Sequence, residues 1–279
     1  MPEPDERLAP APPEVRPDPD AEGIPTGWRA LAPDLTPLRR HRDYRLLTLG
    51  QSVSFFGSMV TFVAVPYQVF RLTGSSLVVG LLGVVQMAAL LALAFLGGAL
   101  ADAVDRRRLV LLSDLGLMVC SGALLANALL GSPRTWVVFA LAGAAAGLGA
   151  IQRPALGAMV PRLVEPGELT AAGAIDALSR TIGMIAGPAC AGLLLAGPGL
   201  EVAYAVDAAT FLVSLAALAA MRPIPAPPDA ERPSFVRVIE GLRYARSRPE
   251  LMGTYLVDMA AMFFGTPLAL FPALAQRYG

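Results

Sequence analysis

Six charged side chains lie inside long apolar runs of this chain: Asp114, Arg153, Asp176, Arg180, Asp207 and Asp258. In hydrocarbon a charge has to face a bundle interior, a water-filled path or a partner. The chemistry open to such groups is ion pairing, substrate contact and proton relay. Asp176 and Arg180 stand four apart, on one helix face, and can pair. A helical rise of about 1.5 Å per residue puts Asp114 about 8 Å into its run, Asp176 and Arg180 about 10 and 16 Å, and Asp258 about 10 Å. Arg153 lies about 25 Å along a run travelling the other way, so these five share one half of the membrane. Asp207 falls nearer the opposite face. An ion network locking the helix ends is one reading of Arg153, Asp176 and Arg180, and a substrate or proton path is the other. Asp207 and Asp258 have no local partner in sequence. Hydrolytic chemistry is poorly served, because the runs contain no His and no Gly-x-Ser-x-Gly. The one histidine, His41, sits in a basic patch before the first run, so no metal site or cofactor is expected. Cys120 and Cys190 fall within apolar runs and read as buried packing residues.

The runs that must position these groups dominate the composition. Of 279 residues, 55% are hydrophobic and 16% charged, against about 25% charged in soluble domains. Net charge is zero, which gives no field for nucleic acid. Seven runs reach the roughly 20 residues that cross a bilayer. They are Leu46–Phe70, Leu77–Ala101, Leu109–Leu130, Trp136–Val160, Leu169–Ala196, Val202–Met221 and Leu251–Ala275. Arginines mark their orientation. Seven lie before the first run, three between the second and third, one between the fourth and fifth, and six between the sixth and seventh. The other side holds Arg71, Arg134 and Arg277. Short Arg-rich loops resist translocation, so the amino terminus is expected in the cytoplasm.

Four regions follow. Residues 1–38, with ten prolines and eight acids, cannot bury a core and are expected to be a disordered cytoplasmic tail. They do not read as a secretory signal. Residues 39–222 form a six-helix bundle. Residues 223–250 form a cytoplasmic linker, where Phe235, Val238, Ile239 and Leu242 make an amphipathic helix over Ser234–Arg248, suited to a membrane surface or to packing on the bundle. Residues 251–279 carry a seventh membrane helix. Phe55-Phe56-Gly57-Ser58 is echoed by Phe263-Phe264-Gly265-Thr266, as if that helix began a second copy of the unit. Gly143, Gly147, Gly149, Gly183 and Gly187 allow close helix contact, and Pro154 and Pro188 interrupt the fourth and fifth spans.

The loop Gly98–Leu109 resembles the loop signature of the major facilitator superfamily at Gly98, Leu100, Ala101, Asp102, Arg106, Arg107 and Leu109. Ala103 and Asp105 depart from it. In the fifth span, Gly183, Gly187, Pro188 and Gly192 resemble the superfamily's antiporter motif, with Ala191 departing. RDYRLL at 42–47, DAATFLVS at 207–214 and EGLRYARSRPEL at 240–251 resemble its enterobactin-exporter-like and macrolide-efflux-like branch. The resemblance implies an all-α polytopic membrane protein: a six-helix major facilitator bundle and the first helix of a second, incomplete bundle. It further implies a twelve-helix alternating-access exporter of a siderophore or drug-like small molecule in the bacterial cytoplasmic membrane, exchanging protons. Asp102 and Arg106 would then serve an interdomain gate, and Gly187 and Pro188 a bend. The implied partners are membrane lipid, substrate, protons and the missing carboxy-terminal half. The competing reading is a truncated, non-transporting fragment or assembly partner. An intramembrane enzyme lacks its catalytic residues, and a seven-span receptor would place the amino terminus outside.

The arginine asymmetry makes a direct prediction. Ala103→Cys and Ala226→Cys will resist an impermeant thiol reagent applied outside the cell, and Ser132→Cys will react. The reverse labelling pattern overturns the orientation.

Overall fold

In the computed structural model the described residues are 34–103, 105–224, 246–248, 252–254, 256–258 and 260, with side chains described outside 95–103. A short helix α1 (Thr36–Arg40) precedes six long ones: α2 (Arg42–Thr73), α3 (Ser76–Ala103), α4 (Arg106–Ala128), α5 (Thr135–Leu163), α6 (Leu169–Ala196) and α7 (Leu200–Ala220). All regular structure among the described residues is helical, and α2 to α7 are each long and apolar enough to cross a membrane. Their outward faces carry large exposed apolar side chains, including Leu77, Ile185, Leu193 and Leu212. Such a surface is a liability in water and suits a lipid environment.

Local chemistry sets the helix ends. Gly74, at φ 63°, closes α2 in the left-handed conformation and returns its N–H to the Phe70 carbonyl at 2.8 Å, a conformation glycine adopts without steric cost. Asp105 caps α4, its side chain accepting from the Arg108 N–H at 3.1 Å. This is one of the two positions departing from the superfamily loop signature, and a capping carboxylate at a helix N-terminus accounts for it. Pro37 starts α1 and is buried, which gives helical order to the end of the segment expected to be disordered. Proline is tolerated in the first helical turn because its missing N–H has no partner there anyway. His41 and Arg40 meet Glu168 at 2.6 and 3.4 Å, tying α1 to the 3-10 turn before α6.

The helices pack in two related sets. α2 lies against α6 and α7, α5 lies against α3 and α4, and α4 joins α7. Exchanging α2 with α5, α3 with α6 and α4 with α7 maps these interfaces onto each other. Consecutive spanning helices alternate in direction, so the two three-helix units are inverted copies. The main apolar core runs through all six helices, from Val60, Ala64 and Val69 to Leu82, Leu124, Val138 and Tyr204.

Small residues set the closest contacts. A Cβ on Gly183 would lie 2.6 Å from the Phe55 ring, and one on Gly187 would collide with the Met59 side chain and stand 3.2 Å from the Phe56 carbonyl. A Cβ on Gly50 would lie 2.9 Å from Ala217, and one on Gly57 would collide with Thr210. α2 is therefore held on α6 by glycines of α6 and on α7 by its own glycines. Gly143 and Gly147 do the same for α5 against α3. Gly149 has open space around it, so the close contact expected there is absent. Pro154 and Pro188 do not break their helices, since α5 and α6 run through them unbroken; packed neighbours hold a proline-containing membrane helix together. The amphipathic helix and most of the seventh span, with its echo of Phe55–Ser58, lie outside the described residues. Residues 252–254, 256–258 and 260 are helical.

Gly187→Ala will lower the thermal stability of the purified protein by roughly 1–3 kcal/mol, since the Phe56 backbone cannot give way. Gly192→Ala, inside α6 and with nothing within 4 Å of its Cβ position, will not lower stability and will raise it by up to about 1 kcal/mol, since alanine is the better helix former. Equal melting curves for the two variants overturn this account of the α2–α6 contact.

Candidate functional site

The bundle encloses a cavity of about 1250 Å³. Its walls carry aromatic rings from Phe55, Phe62 and Tyr67 and polar groups from Gln86, Arg153 and Arg180. Two buried carboxylates adjoin the cavity, Asp207 in the wall itself and Asp114 behind it, and each is held by neutral donors from other helices.

Asp114 on α4 is fully buried. Its Oδ2 accepts from Ser214 Oγ of α7 at 2.7 Å and from Gln51 Nε2 of α2 at 3.0 Å. Its Oδ1 accepts from Gln152 of α5. Gln51 Nε2 also reaches Ser214 Oγ at 2.9 Å. One carboxylate thus joins four helices, and both its oxygens are occupied. Asp207 on α7 is 2% exposed. Its Oδ2 accepts from Thr61 Oγ1 of α2 and Ser121 Oγ of α4, both at 2.6 Å. Its Oδ1 is buried without a hydrogen-bond partner. No described cation forms an ion pair with either acid.

The two sites are reciprocal. α4 offers Asp114 and, seven residues on, Ser121; α7 offers Asp207 and, seven residues on, Ser214. Each aspartate takes the other helix's serine. The third helix also obeys the exchange: α5 serves Asp114 through Gln152, and α2 serves Asp207 through Thr61. Gln51 breaks the symmetry by giving Asp114 an extra donor. Sequence reasoning placed both aspartates in spans but missed their partners, which lie 38 to 146 positions away. The Asp-x6-Ser spacing, present once in α4 and once in α7, is the signal that could have found them.

The other expected groups separate. Asp176 and Arg180 pair at 2.8 Å, both about half exposed and both on the cavity wall. Arg180 also lies over the Phe55 ring, 5.8 Å from its centre. Arg153 is exposed on the cavity wall and forms no ion pair with them, so the three-member network is in fact a pair plus a separate arginine. Asp258 is exposed on a helical segment. Gly98 and Asp102 lie in the last turns of α3, and the Asp102 side chain is outside what is described. Arg106 is buried and donates to the Ala158 carbonyl of α5 at 3.2 Å. Arg107 donates to the Leu218 and Ala219 carbonyls at 2.6 and 2.8 Å, and Arg42 to Ala220 at 3.1 Å. These two arginines cap the carboxyl end of α7, where a positive charge is favourable. Of the antiporter-motif residues, Gly183 and Gly187 make the α2 contact, Pro188 lies within α6, and Gly192 faces the cavity.

Six membrane-length helices around a largely apolar cavity with a few polar groups in its wall mark a multi-pass membrane protein. The family model of the transmembrane secretion effectors, a branch of the major facilitator superfamily, matches residues 32–278, and the chain belongs to that family. It is 29% identical over 248 residues to the enterobactin exporter EntS of Salmonella typhi. It is 30% identical over the same length to the enterobactin exporters EntS of Shigella boydii serotype 4 and Escherichia coli O1:K1 / APEC. Each match takes in 88% of this chain and 59% of the relative, so the chain spans about three fifths of the length of these curated relatives.

Asp114→Ala will remove the acceptor shared by Gln51, Gln152 and Ser214. Each buried donor left unpaired costs about 1–3 kcal/mol. The variant will therefore show a large loss of folded protein in detergent, and Ser214→Ala a smaller one. If thermal unfolding of Asp114→Ala matches that of the unsubstituted chain, the node is not structural.

Proposed function

We propose that this chain forms the amino-terminal part of an exporter that moves a siderophore or drug-like small molecule across the bacterial cytoplasmic membrane by alternating access, with proton antiport. The observation that carries the reading is the large cavity, walled by aromatic rings and arginines, between helices long enough to span a bilayer. Small-molecule sites are typically about 300–1,000 Å³, so this one has room for a bulky compound. Arg153 stands on its wall without an ion-pair partner among the described residues, which favours a substrate with an anionic or strongly accepting group. The curated relatives are named as enterobactin exporters, which supports that compound as the first to try.

In this reading the amino terminus, the α3–α4 loop and the segment after α7 face the cytoplasm, as the arginine distribution favours. Asp102 and Arg106 belong to the gate, and Gly187 and Pro188 shape α6. Substrate binds near the bilayer midplane between two halves, so the cavity wall here is one side of the full site. The remaining helices of a twelve-helix transporter supply the other side.

The test is enterobactin efflux from cells lacking their own exporter. Residues 1–279 alone will insert and not export; the same chain joined to, or co-expressed with, the remaining helices will export. In that complete form, Asp102→Asn will insert normally and lose most efflux. Absence of efflux from the complete form overturns enterobactin as substrate, and full efflux by Asp102→Asn removes that residue from the gate.

A further inference from the structure

The reciprocal arrangement of Asp114 and Asp207 contains an asymmetry that chemistry can use. Both acids sit on the α4–α7 seam, two helical turns or about 10 Å apart along the membrane normal. Asp114 is closed, with donors on both oxygens from three other helices. Asp207 is open on one side: two hydroxyls hold Oδ2, while Oδ1 is buried and unpartnered. It also lines the cavity together with Thr61 and Ser121. Both its hydrogen-bond donors come from helices of this bundle, α2 and α4.

An anionic carboxylate buried in a span without a cation is costly, and leaving one oxygen without any donor adds to that cost. A proton removes the charge. The serine and threonine hydroxyls suit both forms: they donate to a carboxylate and accept from a carboxylic acid by rotating. The titratable groups around Asp207 are few. Tyr204 lies one turn earlier on α7 with its hydroxyl committed to Gln68 at 2.8 Å, Cys120 adjoins Ser121 on α4, and Asp114 lies two turns along. α2 faces Asp207 with Gly57 and Thr61. A Cβ at Gly57 would come 2.9 Å from Oδ1, so that glycine leaves the notch in which the open oxygen sits.

We infer that Asp207 is the site at which this chain takes up and releases the proton exchanged during export, while its counterpart Asp114 is a permanent structural acceptor. The assignment rests on the proton-antiport reading above and deepens it by naming the carrier. The proton arrives from one side of the membrane, forms an O–H bond on the Asp207 carboxyl, and leaves to the other side when the cavity changes access. Thr61 and Ser121 are positioning residues that hold the carboxyl in place in both forms.

Infrared difference spectra between acid and alkaline pH, taken on the 279-residue chain in lipid vesicles, read the carbonyl band of a protonated carboxyl without any substrate. Asp207→Asn will remove a pH-dependent component of that band, and Asp207→Glu will restore one at a shifted frequency. Thr61→Val and Ser121→Ala, which leave the carboxyl in place, will move the band to higher frequency, as loss of hydrogen bonds does to a carbonyl. A spectrum unchanged in Asp207→Asn, or a frequency unmoved in both hydroxyl variants, overturns the assignment. The second arm uses the complete transporter in vesicles. Asp207→Asn will lose at least tenfold of the enterobactin accumulation driven by a pH gradient and keep exchange down a substrate gradient. Gradient-driven accumulation at the unsubstituted level overturns the inference. If the unsubstituted complete protein moves no enterobactin, the substrate reading falls and the infrared arm alone decides the proton site.

Discussion

A polar group in a bilayer has no water to fall back on, and the α4–α7 seam is arranged around that constraint. Asp114, Ser121, Asp207 and Ser214 answer each other across it, each carboxylate taking the opposite serine. The spacing of seven on both helices brings both pairs to one face, as in any long helix–helix seam of near-heptad period. Because the helices run in opposite directions, the same Asp-x6-Ser order on each makes the pairs close reciprocally. A hydrogen bond to a charged group contributes about 1.5–3 kcal/mol in proteins, and those from α2 and α5 add to the two across the seam. The seam therefore collects four helices.

The remaining helices attach by shape. α6 meets α2 through Gly183 and Gly187, and α3 meets α5 through Gly147 and Gly143. In lipid there is no gain from burying apolar surface as such, so close backbone approach and dispersion carry these contacts. The bundle thus has a polar centre fixed by directional bonds and two flanks set by close packing, with one buried bond, Tyr44 hydroxyl to the Ala172 carbonyl, added between α2 and α6. All six long helices line the cavity, and the charged side chains in its wall are Arg153 of α5, Asp176 and Arg180 of α6, and Asp207 of α7.

What the sequence could disclose follows from this division. Membrane-length apolar runs are one-dimensional, so six of the helices were legible within a few residues at each end, and the Asp176–Arg180 pair was legible because its members are four apart. The loop and antiporter motifs were legible as resemblances. The partners of Asp114 and Asp207 were not, because they are uncharged side chains on other helices and no charge pattern announces them. Asp207 read as isolated and is in fact held by Thr61 and Ser121. Arg153, read either as part of an ion network or as part of a substrate path, forms no ion pair with Asp176 or Arg180, since depth in the membrane fixes only one of the coordinates a contact needs. Asp105 read as a departure from a motif and serves as a helix cap, a role set by the residue that follows it.

The arginines of the α3–α4 loop complete the seam. Three consecutive arginines at the start of α4 stand at the positive end of a helix dipole, which disfavours them locally. Two of them reach out of that turn: Arg106 to the Ala158 carbonyl near the end of α5, and Arg107 to the Leu218 and Ala219 carbonyls that end α7. An unfavourable charge at one helix start becomes a favourable one at another helix end. Arg107, Asp114 and Ser121 follow each other at intervals of seven on α4 and engage α7 at its carboxyl end, then at Ser214, then at Asp207. Sliding α4 along α7 would break all three levels together. α3 and α6 each make their main contact with a single helix, and α6 adds to its glycine contacts one buried bond, from the Tyr44 hydroxyl of α2 to the Ala172 carbonyl at 3.1 Å. The α4–α7 seam is accordingly the contact in this bundle that is fixed in register, level by level, by directional bonds.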